Sequence, residues 1–569
     1  MPNSVSRSHI VRTFVSSLKA CTKANDVEQG INIHAEIARL GLLNGNVFIS
    51  SALVDMYAKC GFLLKAQEFF DTLKVLNVVT WNALIGGYVL HGHGSTALCT
   101  LDRMEGQGFA PNLITFTFSF KACACIRALE QGSELHSNML ERGLPLDHIV
   151  ITALVDMYAK CGALVKAQEA FDACFTHDVA TWNALIAGYV QNECCEEALL
   201  CFEKMQTGGI SPNAITLACV LRACSLVKAV EKGKEIHAEV VQNGLLKADP
   251  FIGSAVVDMY AKCGALSKAK EVLKVLPERD VVVWNSLIVG YVLHDYNEEA
   301  LFCFDQMQAE GVSPNMVTYA CSVNACGNIG ALEKGSEIHA DASRKALLEL
   351  DLSIGSALVD MYAKCGELSK AQGVFEKLLN RTVVTWNALI TGYAQIGDVE
   401  NVHLMFDKLV VDDKDPQPVT FVGILCACSH SGLVDIGLKC FILMISDFSI
   451  IPTPTHYNCM IDLLGRAGQL ESAVYFLGRG PFHPTIEMWL SLLSACRKWG
   501  NIDLGRQIFE QAIFLDESEG AAYFCMYNIY ADSGLLDDAK RIETMRVKKQ
   551  AWNKHKDYGM FRMDESALH

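Results

Sequence analysis

No stretch of this 569-residue chain approaches the ~18 uninterrupted apolar residues of a membrane span; its apolar runs are short, such as FILMI at 441–445. Hydrophobic residues still make up 51% of the chain, so that surface belongs to a large interior. Proline is scarce, at 13, which suits helices. No Pro/Ser-rich linker or low-complexity tract interrupts the sequence. There is no C-x-x-C pair, no phosphate-cradling glycine loop and no G-x-S-x-G elbow, so common signatures of metal, nucleotide and hydrolase sites are missing. Positive charge is short too: 48 Lys and Arg against 64 Asp and Glu give −16, unlike a non-specific nucleic-acid binder with a broad basic face.

Acidic residues are absent before Asp26, whereas Arg7, Arg12, Lys19 and several serines precede it. That composition resembles an organelle-targeting presequence. Repeat-like sequence begins near Val11, leaving 1–10 as a short leader or remnant. The 23 cysteines often occupy repeated apolar positions (Cys60, Cys161, Cys263, Cys365) and read as small reduced core residues in a reducing compartment.

What the chain has is repetition. SALVDMYAKCG at 51–61 returns as TALVDMYAKCG at 152–162, SAVVDMYAKCG at 254–264 and SALVDMYAKCG at 356–366. In step with it run TWNALIGGYV at 80–89, TWNALIAGYV at 181–190, VWNSLIVGYV at 283–292 and TWNALITGYA at 385–394. A third signature, EQGINIHAEI at 28–37, is echoed at 130–136, 231–240 and 333–341. Within each unit the apolar residues Trp81, Leu84, Ile85 and Tyr88, or Leu53, Met56, Tyr57 and Cys60, fall at i, i+3, i+4, i+7 and mark one helix face. Ala198, Phe202 and Met205 mark a second helix, as do Ala300, Phe304 and Met307. Gly61 and Gly162 suit left-handed helix ends. A lone hairpin of this kind cannot bury its apolar face, so the expected fold is all-α: a right-handed superhelical solenoid of stacked helix-turn-helix repeats.

The alternation of three repeat lengths resembles plant-type pentatricopeptide repeat proteins of the PLS subclass. Repeats of 35 residues run 78–112, 179–213, 281–315 and 383–417; long ones run 11–46, 113–147, 214–249, 316–351 and 418–453. Short ones run 47–77, 148–178, 250–280 and 352–382, with a last variant at 454–485, making fourteen over 11–485. MWLSLLSACRKWGNIDLG and AAYFCMYNIYADSGLLDDAKRIETM, within 486–552, resemble the family's E-type extension. The residues 553–569 diverge from the segment that usually leads into a DYW deaminase domain. The resemblance therefore implies a binding protein rather than an enzyme.

It further implies one RNA base per repeat, read by a first-helix residue and the last residue of the repeat. In the 35-residue repeats these are Asn82 with Asn112, Asn183 with Asn213, Asn285 with Asn315 and Asn387 with Gln417. In the short repeats they are Ser51 with Asn77, Thr152 with Asp178, Ser254 with Asp280, Ser356 with Thr382 and Asn458 with Thr485. In the long repeats only Thr117 with Asp147 offers polar readers; Val15, Ala218, Ala320 and Val422 offer little. The family's pairing rule makes Asn–Asn a pyrimidine reader, Ser/Thr–Asn an adenosine reader and Ser/Thr–Asp a guanosine reader. Amide and hydroxyl groups address base edges and are expected off the apolar stripe, free of packing duties; their alternative role is as favoured residues near helix starts. Phe48, Val79, Phe251, Val282 and Val384, three positions before first readers, are expected to wedge between bases or, alternatively, to pack the helix start. Lys59, Lys160, Lys262, Lys364 and Arg466, eight residues after first readers, are expected to contact phosphates as a basic inner stripe, or else to be solvated cations near helix C-termini.

The implied function is sequence-specific single-stranded RNA binding, as a C-to-U editing specificity factor of a plant mitochondrion or chloroplast, the mitochondrion preferred. Partners would be RNA, editing accessory proteins and a deaminase in trans; no DNA, membrane, cofactor or metal is expected. HAE at 34–36 and 237–239 mimics part of a zinc deaminase motif but recurs in repeat register and reads as scaffold. The alternatives are a protein-binding scaffold of tetratricopeptide type, or a factor for RNA stabilisation or processing.

Overall fold

A computed structural model describes residues 3–43, 46–174, 177–347, 352–516 and 519–547; the divergent tail at 553–569 lies outside them. Every regular element among these residues is a helix. First helices of 13 or 14 residues start at Val47, Val78, Leu113, His148, Val179 and Ala214, and the pattern continues to Pro454 and Ile486. Two or three residues connect each to its second helix, as Val78–Leu90 to Gly94–Gly106. A left-handed residue makes this turn; Gly61 (φ 84°) and Gly162 (φ 79°) occupy it as expected. The first described helix, Asn3–Ala24, passes through Val11 without a break.

The chain forms two compact units, Met1–Gly290 and Tyr291–His569. Within each, first helices pack on the first helices of the next repeat, and second helices cover one side. The four tryptophans of the W-N motifs are the hubs: Trp81, Trp284 and Trp386 are almost wholly buried. Trp81 meets the Phe70 ring edge to face at 4.6 Å, and Trp386 meets Phe375 at 4.5 Å.

Close helix contacts explain why the three signatures recur in step. Gly87 of the W-N motif lies so near DMYAKCG that an added Cβ would sit 2.3 Å from Ala58 Cβ and 3.2 Å from Ala58 Cα. Gly188 stands against Ala159 at 2.4 Å and Gly290 against Ala261 at 2.4 Å in the same way. The glycine of the third signature seats the methionine: a Cβ on Gly30, Gly132 or Gly233 would meet the sulfur of Met56, Met157 or Met259 at 2.4–2.6 Å. Each signature is thus the other's packing partner, which is a structural reason for four copies.

Histidines of the third signature are also scaffold. His34, His136 and His339 Nδ1 lie 2.9 Å from the hydroxyls of Tyr57, Tyr158 and Tyr362, and His237 lies 3.1 Å from that of Tyr260. All 23 cysteines are free thiols. Cys60, Cys161 and their repeats are half-buried, whereas Cys123, Cys224, Cys326 and Cys428 of the long repeats are buried deeply enough that desolvation pushes each thiol up to about 12.

The extension continues the stack. Its helices Ile486–Trp499, Ile502–Leu515, Gly520–Asp532 and a final one over 536–547 share a core with the last short repeat, a cluster that includes Ile461, Leu464, Leu492, Ile508 and Met526. Trp499 Nε1 donates to Gly465 O at 2.8 Å.

Two outcomes follow from this packing. Gly87→Ala overpacks an immovable Cβ–backbone contact, a cost of about 1–3 kcal/mol set against a helix-propensity gain of up to about 1 kcal/mol. Gly132→Ala meets only a thioether able to swing aside. Chemical denaturation should show the larger loss for Gly87→Ala and part of it restored by adding Ala58→Gly; equal losses would contradict the contact. Burial holds His34, His136, His237, His339 and His456 below the ordinary imidazole range. The unfolded chain therefore binds more protons than the folded one below about pH 6.5. Stability should be complete above that pH and fall as pH drops through it, measured by denaturation midpoints at pH 7.5 and 5.5; a flat profile would refute it.

Candidate nucleic-acid interface

The last residue of a repeat is the N-cap of the next first helix. Asn77 Oδ1 accepts from Thr80 N at 2.8 Å, Asn112 from Thr115 N at 3.0 Å and Asn213 from Thr216 N at 3.0 Å. Asp147 accepts from Val150 N at 2.9 Å, Asp178 from Thr181 N at 2.8 Å and Asp280 from Val283 N at 3.0 Å. Asn315, Thr382 and Gln417 cap through reciprocal boxes with Thr318, Thr385 and Thr420. Thr485 occupies the same place without a side-chain cap bond. Every expected second reader thus sits at a helix N-cap, and a side-chain cap of this kind contributes about 1 kcal/mol.

The expected first readers are not free of packing duties, and that expectation is corrected. Asn82, Asn183, Asn285 and Asn387 are each over nine-tenths buried. Asn82 Nδ2 donates to Asn112 Oδ1 at 3.1 Å, and Asn82 Oδ1 accepts from Thr115 Oγ1 at 2.7 Å. Asn183 repeats both bonds with Asn213 (3.1 Å) and Thr216 (2.6 Å), and Asn387 accepts from Thr420 Oγ1 at 2.7 Å. The two expected readers of the repeats 78–112 and 179–213 are therefore hydrogen-bonded to each other. Thr152 reaches Thr181 Oγ1 at 2.8 Å and Ser356 reaches Thr385 Oγ1 at 3.3 Å, both from the equivalent position. Ser51 and Ser254 donate back to Phe48 O and Phe251 O, and Thr117 to Leu113 O. Asn458 Oδ1 accepts from Ser491 Oγ at 3.0 Å.

Capping fixes what each second reader offers outward. The cap and inter-reader bonds fall on Asn112 Oδ1, so the exposed end of the side chain is its NH2 donor. For Asp178 the cap bonds fall on Oδ1. Burial raises this carboxyl, but the Thr181 backbone and hydroxyl bonds, with His148, outweigh it and hold the group below the usual range. It stays an acceptor at neutral pH. Asn and Asp at one position thus present opposite hydrogen-bonding polarity.

The expected wedge residues are exposed, so helix-start packing does not account for them: Phe48 is 75% exposed, Phe251 65% and Val384 61%, with Val79 and Val282 similar. The row extends beyond these five. Ile114, Ile149, Ile215, Val317 and Val419 hold the same second position of their helices and are equally bare; comparing that position across all repeats would have found them. In the N-terminal unit, Phe48, Ser51, Val79, Asn82, Asn112 and Ile114 line one cleft of about 520 Å³, and Ile149, Thr152, Asp178 and Asn183 line another of about 440 Å³. Apolar wedge and polar pair share a face.

The expected phosphate ladder is present but carries no net charge. Lys59, Lys160, Lys262, Lys364 and Arg466 pair with Asp55, Asp156, Asp258, Asp360 and Asp462 at 2.8–2.9 Å, one turn back on the same helix. The basic inner stripe is in this respect a row of ion pairs. Among the described residues no group of three or more His, Cys, Asp or Glu is placed to hold a metal.

Stacked helix pairs, many of them closing on a capped polar pair, define an α-solenoid repeat protein. "PPR repeat family" matches residues 76–125, 177–225 and 279–328, and "PPR repeat" matches 48–78, 356–383, 384–413 and 455–479. A mitochondrial pentatricopeptide repeat-containing protein of Arabidopsis thaliana is 34% identical over 537 residues, covering 94% of this chain and 77% of its own length. A second mitochondrial protein of that plant is 33% identical over 572 residues (96% and 63%), and a chloroplastic one 34% over 569 (96% and 64%). The chain belongs to the pentatricopeptide repeat family. It spans just under two thirds of those latter two relatives. The fold matches the crystal structure of maize PPR10 with a TM-score of 0.54 at 16% identity, covering 99% of this chain and 94% of that one. PPR10 in complex with an 18-nt psaJ RNA element gives 0.55 at 16%, covering 96% and 91%.

Proposed function

We propose that this protein binds single-stranded RNA by sequence, one base per repeat, and acts in a plant organelle as a specificity factor for C-to-U editing, with the deaminase supplied in trans. The observation that carries the RNA reading is the joint placement, on one face of the N-terminal unit, of exposed apolar side chains and polar pairs with outward donors or acceptors. Bases splayed from a single strand need a surface to stack on and groups to meet their edges. The RNA seen with PPR10 and the mitochondrial and chloroplastic relatives support the partner and the compartment. The editing outcome rests on the resemblance of 486–552 to an E-type extension. Exposed Phe514, Phe524 and Leu536 there suit contact with another protein.

Under the family's rule the short and 35-residue repeats from 47 onward read adenosine, pyrimidine, guanosine, pyrimidine, guanosine, pyrimidine. Ser356 with Thr382 follows as a purine reader and Asn387 with Gln417 as a pyrimidine reader, and the last short repeat sits four bases upstream of the edited cytidine. A protein-binding scaffold is the second reading, and the ion-paired ladder favours it.

Asn183→Thr tests the assignment cleanly. Thr152 already bonds the Thr at the third position of the next first helix, and a Thr at 183 would meet Thr216 in the same way, so the fold should hold with an unchanged melting profile. With Asn213 kept, the base read by 179–213, twelve upstream of the edited cytidine, should switch from pyrimidine to adenosine by roughly 1–3 kcal/mol. Titration against two RNAs differing at that base measures it. Identical ranking by both proteins would overturn the assignment, and no RNA binding by either would favour the scaffold.

A further inference from the structure

The ion-paired ladder leaves open which cations meet the phosphates. The row one turn beyond the first readers supplies an answer. In the N-terminal unit this ninth position of each repeat holds Lys19, Lys121 and Arg222 in the long repeats and Asp55, Asp156 and Asp258 in the short ones. The 35-residue repeats place Gly86, Ala187 and Val289 there. The aspartates are consumed by the ladder cations. Lys19, Lys121 and Arg222 are exposed and make no ion pair with any described residue. Lys121 lines both clefts, with Phe48, Asn82, Ile114 and Asp55 in one and Ile149, Thr152, Asn183, Asp156 and Asp178 in the other; Lys19 lines the first. In the second unit the equivalent long-repeat positions carry Asn324 and Cys426, whose thiol lies 3.5 Å from that of Cys459.

We propose that Lys19, Lys121 and Arg222 are the residues that grip the backbone phosphates of the bound strand, and that the long repeats of the N-terminal unit serve as backbone anchors set between base-reading repeats. This rests on the single-stranded RNA reading above. A cation without a carboxylate partner neutralises a phosphate outright, whereas a ladder lysine must first leave its aspartate, so net neutralisation falls to the three long-repeat cations. Two of those repeats have apolar first readers, Val15 and Ala218, which fits the division of labour: they hold the strand while their neighbours address bases.

Each phosphate neutralised on a single strand contributes about 0.7 to the slope of log affinity against log salt. The full chain, Lys121→Gln, Arg222→Gln, Lys160→Gln and Asp156→Asn are titrated across a salt series with a labelled single-stranded RNA carrying the base order above. Lys121→Gln and Arg222→Gln should each flatten the slope by about 0.7 and weaken binding several-fold at low salt, with the ranking of single-base RNA variants unchanged. Lys160→Gln should change the slope little. Asp156→Asn, which releases Lys160, should steepen it. Lys121, Arg222 and Lys160 are exposed and Asp156 is half-buried, and matching melting profiles verify the fold. If the full chain binds and Lys160→Gln flattens the slope as much as Lys121→Gln, or neither long-repeat variant flattens it, the anchors are wrong while the RNA reading stands. If the full chain binds no single-stranded RNA, both fall.

Discussion

The contact on which the rest depends is a missing methyl group. Where Gly87 meets Ala58, Gly188 meets Ala159 and Gly290 meets Ala261, first helices approach so closely that even a Cβ does not fit. Close-packed interiors transmit such constraints rather than absorb them. A wider approach would move the first helix of each 35-residue repeat away from the short repeat before it, and with it the wedge and reader carried on that helix. The register between Asn82 and the N-cap thirty residues later tolerates little of this, because its bonds to Asn112 and Thr115 are 3.1 and 2.7 Å long.

That network gives the candidate site its rigidity. A buried amide held from both ends has few rotamers to lose when a ligand arrives, and pre-organisation of this kind favours discrimination over adaptability. The arrangement also exposes a tension. The groups best placed to recognise a base are those on which helix starts and helix–helix contacts rely, so structural and recognition chemistry are drawn from the same atoms.

Helix pairs, their turns and their apolar faces were legible because they repeat: Trp81, Leu84 and Ile85 declare a face four times over. The burial of Asn82 was not legible, because its partner Thr115 lies a repeat away and nothing local marks the pair. The neutral ladder, by contrast, was written in plain view. DMYAK places Asp55 four residues before Lys59, the spacing at which opposite charges on a helix meet. Exposed Ile114 and Ile215 are not legible for another reason: an apolar residue beside an apolar stripe looks like core until its solvent exposure is known.

Because the last residue of a repeat opens the next helix, a substitution there acts twice. Asn, Asp, Ser and Thr begin helices well; larger aliphatic or aromatic residues do not. The vocabulary available at Asn112, Asp178 or Asn213 is therefore bounded by folding before any ligand selects among its members. Drift at such a position would tend to exchange one small polar side chain for another, trading donor for acceptor while leaving the array intact. A protein built this way changes its preference by steps it survives.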